Sequence, residues 1–171
     1  MKKTAFVVLC VTAFTVNTQA QTRGDGAEKE LKRVLSAFMQ CIIDKDSLQF
    51  VNLFYDGPIV WTGVYKIKSQ EMRRKKDSTR VNNYFKSDPA REISKMIADS
   101  GKRLEEKFYH VHMHEDGTIA AITFDYDYLV DGTTYNWGKE SWGLIKANGK
   151  WKIASIVFSV EYGRVEPGPR R

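Results

Sequence analysis

The sequence is poor in the residues that would announce a chemistry. It holds two cysteines and three histidines in 171 residues. It has no phosphate-cradling glycine loop, no Gly-x-Ser-x-Gly turn and no His-Glu-x-x-His helix, so the commonest nucleophile, nucleotide and zinc-protease signatures are absent. Four prolines and twelve glycines are too few for a collagenous or low-complexity chain. No apolar run reaches the roughly 18 residues that a membrane-spanning helix requires. What is present is ordinary globular material, 42% hydrophobic and 28% charged. At this length the expectation is one domain with a core large enough to supply its own stability. Lysines and arginines exceed acidic residues by 27 to 21, a net charge of +6. No nucleic-acid recognition motif accompanies the excess, so nucleic acid is not an expected partner.

The first twenty residues read as a leader. Lys2 and Lys3 precede an apolar stretch over residues 5–16, and Thr18-Gln19-Ala20 makes a small-x-small cleavage site. Cleavage after Ala20 would send the chain to the periplasm or out of the cell, leaving 151 residues and a net charge of +4. It would also remove Cys10. Cys41 would then stand alone, so an intramolecular disulfide is excluded, and its place in a helical apolar stripe predicts burial.

Residues 21–26 read as a flexible N-terminus, 27–160 as a single domain and 161–171, with Pro167-Gly168-Pro169, as a frayed tail. Within the domain, Leu31, Val34, Leu35, Phe38, Cys41 and Ile42 give residues 28–44 a helical apolar face. Asp46-Ser47 starts a short second helix, and residues 59–65 form a first strand. Residues 66–86 carry eight lysines and arginines against Glu71 and Asp77. They read as a solvated loop, the sharper alternatives being a mobile lid or a site for an acidic partner. Asp88-Pro89 caps and opens a further helix that Gly101 stops. A meander of long strands follows.

Three dipeptides, Asp116-Gly117, Asp131-Gly132 and Asn148-Gly149, mark tight hairpins. If each is a two-residue turn, every side chain of the meander is assigned to a face. His110, Thr123, Asp125, Asp127, Glu140, Trp142 and Ser155 share the first face. Met113, Ile122, Phe124, Tyr126, Ile156, Phe158 and Val160 share the second. Counting apolar side chains packs the helices on the second face; the alternative buries both, with a second subunit over one of them. In this register Asp125 and Glu140 are diagonal neighbours roughly 7 Å apart, with His110 beside Asp125. Two carboxylates so placed repel, which separates an acid from a base. These two are the candidate catalytic residues. The bland reading is a solvated sheet rim. His110, His112 and His114 alternate like a metal comb, but three histidines along one strand do not converge and no metal site is expected. Trp61, Tyr65 and Trp142 could wall a pocket for a flat ligand.

The order of elements, ending in Asn148-Gly149-Lys150-Trp151-Lys152-Ile153, resembles the nuclear transport factor 2-like superfamily, especially its exported SnoaL-like members. The resemblance implies an α+β, cystatin-like cone: a bent antiparallel sheet wrapped around a long N-terminal helix, with a pocket at the wide end. In related pockets, such as that of the calmodulin-kinase association domain, polar pocket residues match Asp125 and Trp142. The resemblance therefore makes the first face concave, adding Trp61, Tyr65, His110, Thr123, Asp127, Glu140 and Ser155 as ligand contacts. The second face becomes an outer surface for a homodimer. Relatives often carry two histidines where this chain has Ser155 and Val157. Asp125 and Trp142 stand where some relatives have basic residues. A neutral or cationic ligand with an apolar part then fits better than an anion, and no cofactor is implied. The expected function is a binding or accessory protein; the alternative is an isomerase, cyclase or dehydratase with an Asp or Glu base. The leader yields the first prediction: N-terminal sequencing of the exported chain should begin at Gln21, and retention of Met1 would refute export by cleavage.

Overall fold

A computed structural model describes residues 18–98 and 101–169. Most of the leader, residues 1–17, lies outside the described residues. The elements run α1 (Thr18–Asp44), α2 (Ser47–Asn52), β1 (Val60–Tyr65), α3 (Ile67–Lys76), β2 (Tyr84–Ser87), α4 (Pro89–Ala98), β3 (Leu104–Glu115), β4 (Ile119–Val130), β5 (Thr133–Ala147) and β6 (Lys150–Tyr162). All six strands join one curved, unclosed sheet in the order β2-β1-β6-β5-β4-β3. The fold is α+β, as expected. β1 pairs with β6 in parallel and every other pairing is antiparallel.

Local signals account for the helices. Asp46 accepts a hydrogen bond from the Gln49 N–H and starts α2, and Asp88 accepts one from the Arg91 N–H and starts α4 behind Pro89. Burial of Leu31, Leu35, Phe38, Cys41 and Ile42 on one stripe holds α1 against the sheet. Cys41 is a free, buried thiol whose pKa is pushed up by that burial. The helix begins at Thr18 and so runs through residues 21–26, which the sequence marks as flexible. Gly24 and Gly26 do not stop it, since each mid-helix glycine costs only about 1 kcal/mol.

Residues 66–86 are not a solvated loop. They form α3 and the edge strand β2. Ser69 anchors α3 on the outer side of the sheet: its hydroxyl, fully buried, donates to the buried Glu161 and accepts from the Tyr162 N–H. Lys66 lies 3.9 Å from the Trp137 ring. The tail is also tied down. β6 extends to Tyr162, and the Trp137 indole N–H donates to the Glu166 carbonyl at 2.9 Å.

The meander departs from the two-residue register at three bulges. The β4–β5 and β5–β6 turns are tight, with Asp131, Gly132, Asn148 and Gly149 all at positive φ. The first turn is longer, pairing Glu115 with Ala120, because the Asp116 carboxylate accepts from the N–H groups of Thr118 and Ile119. Beyond the turns, the pairing slips by one residue between Tyr109 and His112, between Tyr128 and Leu129, and between Gly143 and Leu144. Each slip exchanges the two faces for the rest of that pair. Phe124 therefore faces Glu140, and Asp125 faces Lys139. The concave face is built from Phe108 on β3, Ile122, Phe124 and Tyr126 on β4, Glu140, Trp142 and Leu144 on β5, and Ile153, Ile156 and Phe158 on β6. Within β4 and the end of β6, the count of apolar side chains names the concave face correctly and the family-based assignment does not.

Close approach explains one glycine. A Cβ on Gly138 would lie 1.9 Å from the Ser159 carbonyl oxygen, whereas one on Gly26 would meet open space. In thermal unfolding, Gly138→Ala should cost about 2–4 kcal/mol through forced backbone displacement. Gly26→Ala should gain about 0.5–1 kcal/mol. Equal melting temperatures for the two variants would contradict this packing.

Candidate functional site

Curling of the sheet around α1 leaves a cavity of about 540 Å³ at its wide end. Phe38, Phe50, Trp61, Phe85 and Phe158 supply aromatic walls, and Tyr65, Tyr128, Tyr135 and Tyr162 continue them outward. The rings are packed against each other: Phe54 stacks on Trp61 at 5.5 Å, and Phe38 lies 4.8 Å from Trp142. These contacts fix the walls, as in a preformed pocket.

Two carboxyl groups enter this apolar space, Glu106 from β3 and Glu140 from β5. Both lie on the concave face because Glu106 pairs with Tyr128, Tyr128 with Asn136, and Asn136 is four residues before Glu140 on the same strand. Glu140 is 6% exposed, and one of its oxygens accepts the Trp142 indole N–H at 2.9 Å. Burial pushes its pKa up to about 8, against the opposing pull of that hydrogen bond. Glu106 is held well above the usual carboxylate range, first by burial and then by the charges of Glu140 and Glu92. Tyr126 lies between them on β4, its hydroxyl donating to the Ser159 carbonyl at 3.0 Å. Burial and the adjacent carboxylates keep its phenol protonated. Glu106 is thus shifted toward the protonated acid, the form that can donate a hydrogen bond, and Glu140 sits near the point where it gives and takes a proton.

The structure divides the residues that the sequence grouped. Trp61, Tyr65 and Glu140 line the cavity, and Trp142, 1% exposed, backs Glu140. His110, Thr123, Asp125, Asp127 and Ser155 do not reach it. The bulge between Tyr128 and Leu129 puts Asp125 and Glu140 on opposite faces, so they form no pair. Asp125 instead joins an outer ion cluster, 2.7 Å from Lys139 Nζ and 2.8 Å from His110 Nδ1. His110 occupies the bulge with φ of 50°. This cluster borders a shallow outer groove of about 400 Å³ that includes Thr123 and Val157. Asp127 pairs with Trp137 on the same outer side. The Ser155 hydroxyl accepts from the Gly143 N–H, holding the β5–β6 bulge. Among the described residues, no three His, Cys, Asp or Glu side chains gather as metal ligands. No described helix is long and apolar enough to cross a membrane.

Glu106 is the residue that the sequence reading missed. Extending the third strand's even-numbered face back from His110 would have placed it beside Glu140.

No family model and no curated protein matches the chain. Solved structures do. A nuclear transport factor 2-like protein with a cystatin-like fold from Novosphingobium aromaticivorans is 11% identical, with a TM-score of 0.62 over 85% of this chain and 89% of that one. A candidate scytalone dehydratase from the same organism is 9% identical, with a TM-score of 0.62 over 82% and 88%. A nuclear transport factor 2-like protein of unknown function from Pseudomonas putida is 14% identical, with a TM-score of 0.57 over 79% and 87%. The chain has the nuclear transport factor 2-like fold.

The raised Glu140 value has a thermodynamic consequence. An acid that binds its proton more tightly folded than unfolded contributes most below its unfolded value, near 4.5. Stability then falls as pH rises through the window from 4.5 to about 8. The loss should be on the order of a few kcal/mol. In Glu140→Gln, whose amide oxygen can still accept from Trp142, denaturant midpoints measured across this window should flatten. An unchanged slope would mean that Glu140 is ionised in the folded protein at neutral pH.

Proposed function

We propose that the chain is an exported pocket protein that binds a small, largely apolar molecule and transfers a proton on it, in the manner of an isomerase or dehydratase. The observation that carries this reading is the pairing of Glu106 and Glu140 on one face of an aromatic cavity. Holding two carboxyls in one cavity, Glu140 buried and Glu106 half-buried, is costly, and a purely structural core would do better with apolar side chains. A proton exchanger needs that environment, because it brings a carboxyl into the range where it serves as both acid and base. Glu140 takes the exchanging role and Glu106 the hydrogen-bond donor to a carbonyl or departing hydroxyl. The candidate dehydratase among the structural neighbours supports the reaction class by analogy of fold alone.

The reading includes a homodimer through the outer face of β3 to β6. Support comes from Val157, 43% exposed in the outer groove. It also places the mature protein, from Gln21, in the periplasm or outside the cell.

Native mass spectrometry of residues 21–171 purified gently from the periplasm should show a dimer carrying extra mass. The released molecule, returned to the protein in deuterated water, should gain deuterium or lose water. Glu140→Gln should keep binding and slow that change by about 10²–10⁴-fold. Equal rates in the wild type and the variant would refute the proton-transfer role, and a bare monomer would refute the dimer.

A further inference from the structure

The cavity lining carries charges of both signs. Its floor holds Glu106 and Glu140, both shifted toward the neutral acid. Its rim holds Arg91 and Lys95 from α4 and Lys102 just before β3. Glu92 is the carboxylate among them, and it is engaged by Lys95 Nζ at 2.5 Å and by the Ser87 hydroxyl. Lys95 thus has its own counter-ion and also complements the last turn of α4. Among the described residues, the Arg91 guanidinium donates to the Lys86 carbonyl at 3.3 Å, one of its five N–H donors. The Lys45 ammonium donates to the Lys102 carbonyl at 2.7 Å, which adds a further cation to that side.

The wider field has the same sign. Residues 66–86 carry eight basic and two acidic side chains, so their net charge of +6 equals that of the whole chain and the remainder sums to zero. This segment joins β1 to α4 through α3 and β2. Arg73 from α3 lies 3.7 Å over the ring of Tyr65, a cavity wall residue. An anion diffusing to this end meets a concentrated positive potential.

Resting on the pocket reading above, we infer that the ligand is an organic anion with an apolar body. Its carboxylate, sulfonate or phosphate remains at the rim against Arg91 and Lys102, while the body fills the space between Phe38, Trp61 and Phe158. A bare inorganic anion would leave those rings unfilled. A cation would meet the basic side chains of the exposed rim before the carboxyls of the floor. The sequence-level preference for a neutral or cationic ligand rested on Asp125 and Trp142 in place of basic residues and on Ser155 and Val157 in place of histidines; of these, Asp125 is on the other side of the sheet and Ser155 and Val157 do not line the cavity.

Two fluorescent probes that differ by one group test this. They are 8-anilino-1-naphthalenesulfonate and its neutral parent, N-phenyl-1-naphthylamine, titrated into residues 21–171 at pH 7 and low salt. The sulfonate should bind at least tenfold tighter. The advantage should shrink with added salt and disappear in Arg91→Gln/Lys102→Gln, with the neutral probe unaffected. Gln replacement of Arg74, Lys75 and Lys76 together, on the exposed end of α3, should leave the tenfold ratio standing. Equal affinities in the wild type would overturn the anion inference while leaving a pocket, and so would a ratio that survives the rim variant. Failure of both probes to bind would instead overturn the ligand cavity itself.

Discussion

The period of two along a β-strand is the constraint on which everything else in this protein depends. A strand cannot choose side by side which residues it buries; it can only change phase, and a bulge is the means. Three one-residue slips in the meander let strands whose polar and apolar residues are out of step still present a shared concave face. Without the slip beside Leu129, Phe124 and Glu140 would part company. The cavity would lose either its aromatic wall or its acid. The bulges also bend the sheet, which gives α1 a surface to sit against and leaves the wide end open.

The acid pair is the least favourable element of that arrangement and the most informative. Around it the core is conventional: fully buried Ile122, Ile153, Ile156 and Leu31, and a linked set of rings around Phe38. Among the described residues, the neutral Trp142 indole is the donor directed at Glu140. It orients Glu140 without fixing it as an anion, which an arginine in that position would do. The outer Asp125 cluster is the opposite case. Asp125 meets a lysine and a histidine that are largely exposed, at 81% and 69%, so the cluster is solvated and contributes little to stability.

Legibility followed the physics of each feature. The caps at Asp46 and Asp88, the turns at Asp131-Gly132 and Asn148-Gly149, and the buried stripe through Phe38 and Cys41 were readable because each depends on neighbours in sequence. The α+β cone was readable from element order. The bulges were not. His110, Tyr135 and Ala154 are the extra residues, none is glycine, and nothing local distinguishes them from their neighbours. Half of the proposed site fell with them: Asp125, Thr123 and Ser155 left the pocket while Glu140, Trp61 and Tyr65 stayed. Residues 66–86 hid a helix because α3 is held by a single buried serine and by cation–ring contacts, and its composition gives no apolar stripe to detect.

The strand order also governs how the chain must be made. β6, the last strand synthesised, lies in the middle of the sheet, between β1 and β5. Until it is present, β1 and β2 have nothing to join, and the apolar faces of Trp61 and Trp142 remain uncovered. The parallel β1–β6 pairing closes a loop of about ninety residues, so loop-closure entropy delays it beyond any local hairpin. The sheet therefore stays divided, β1 and β2 apart from the meander, until β6 joins them.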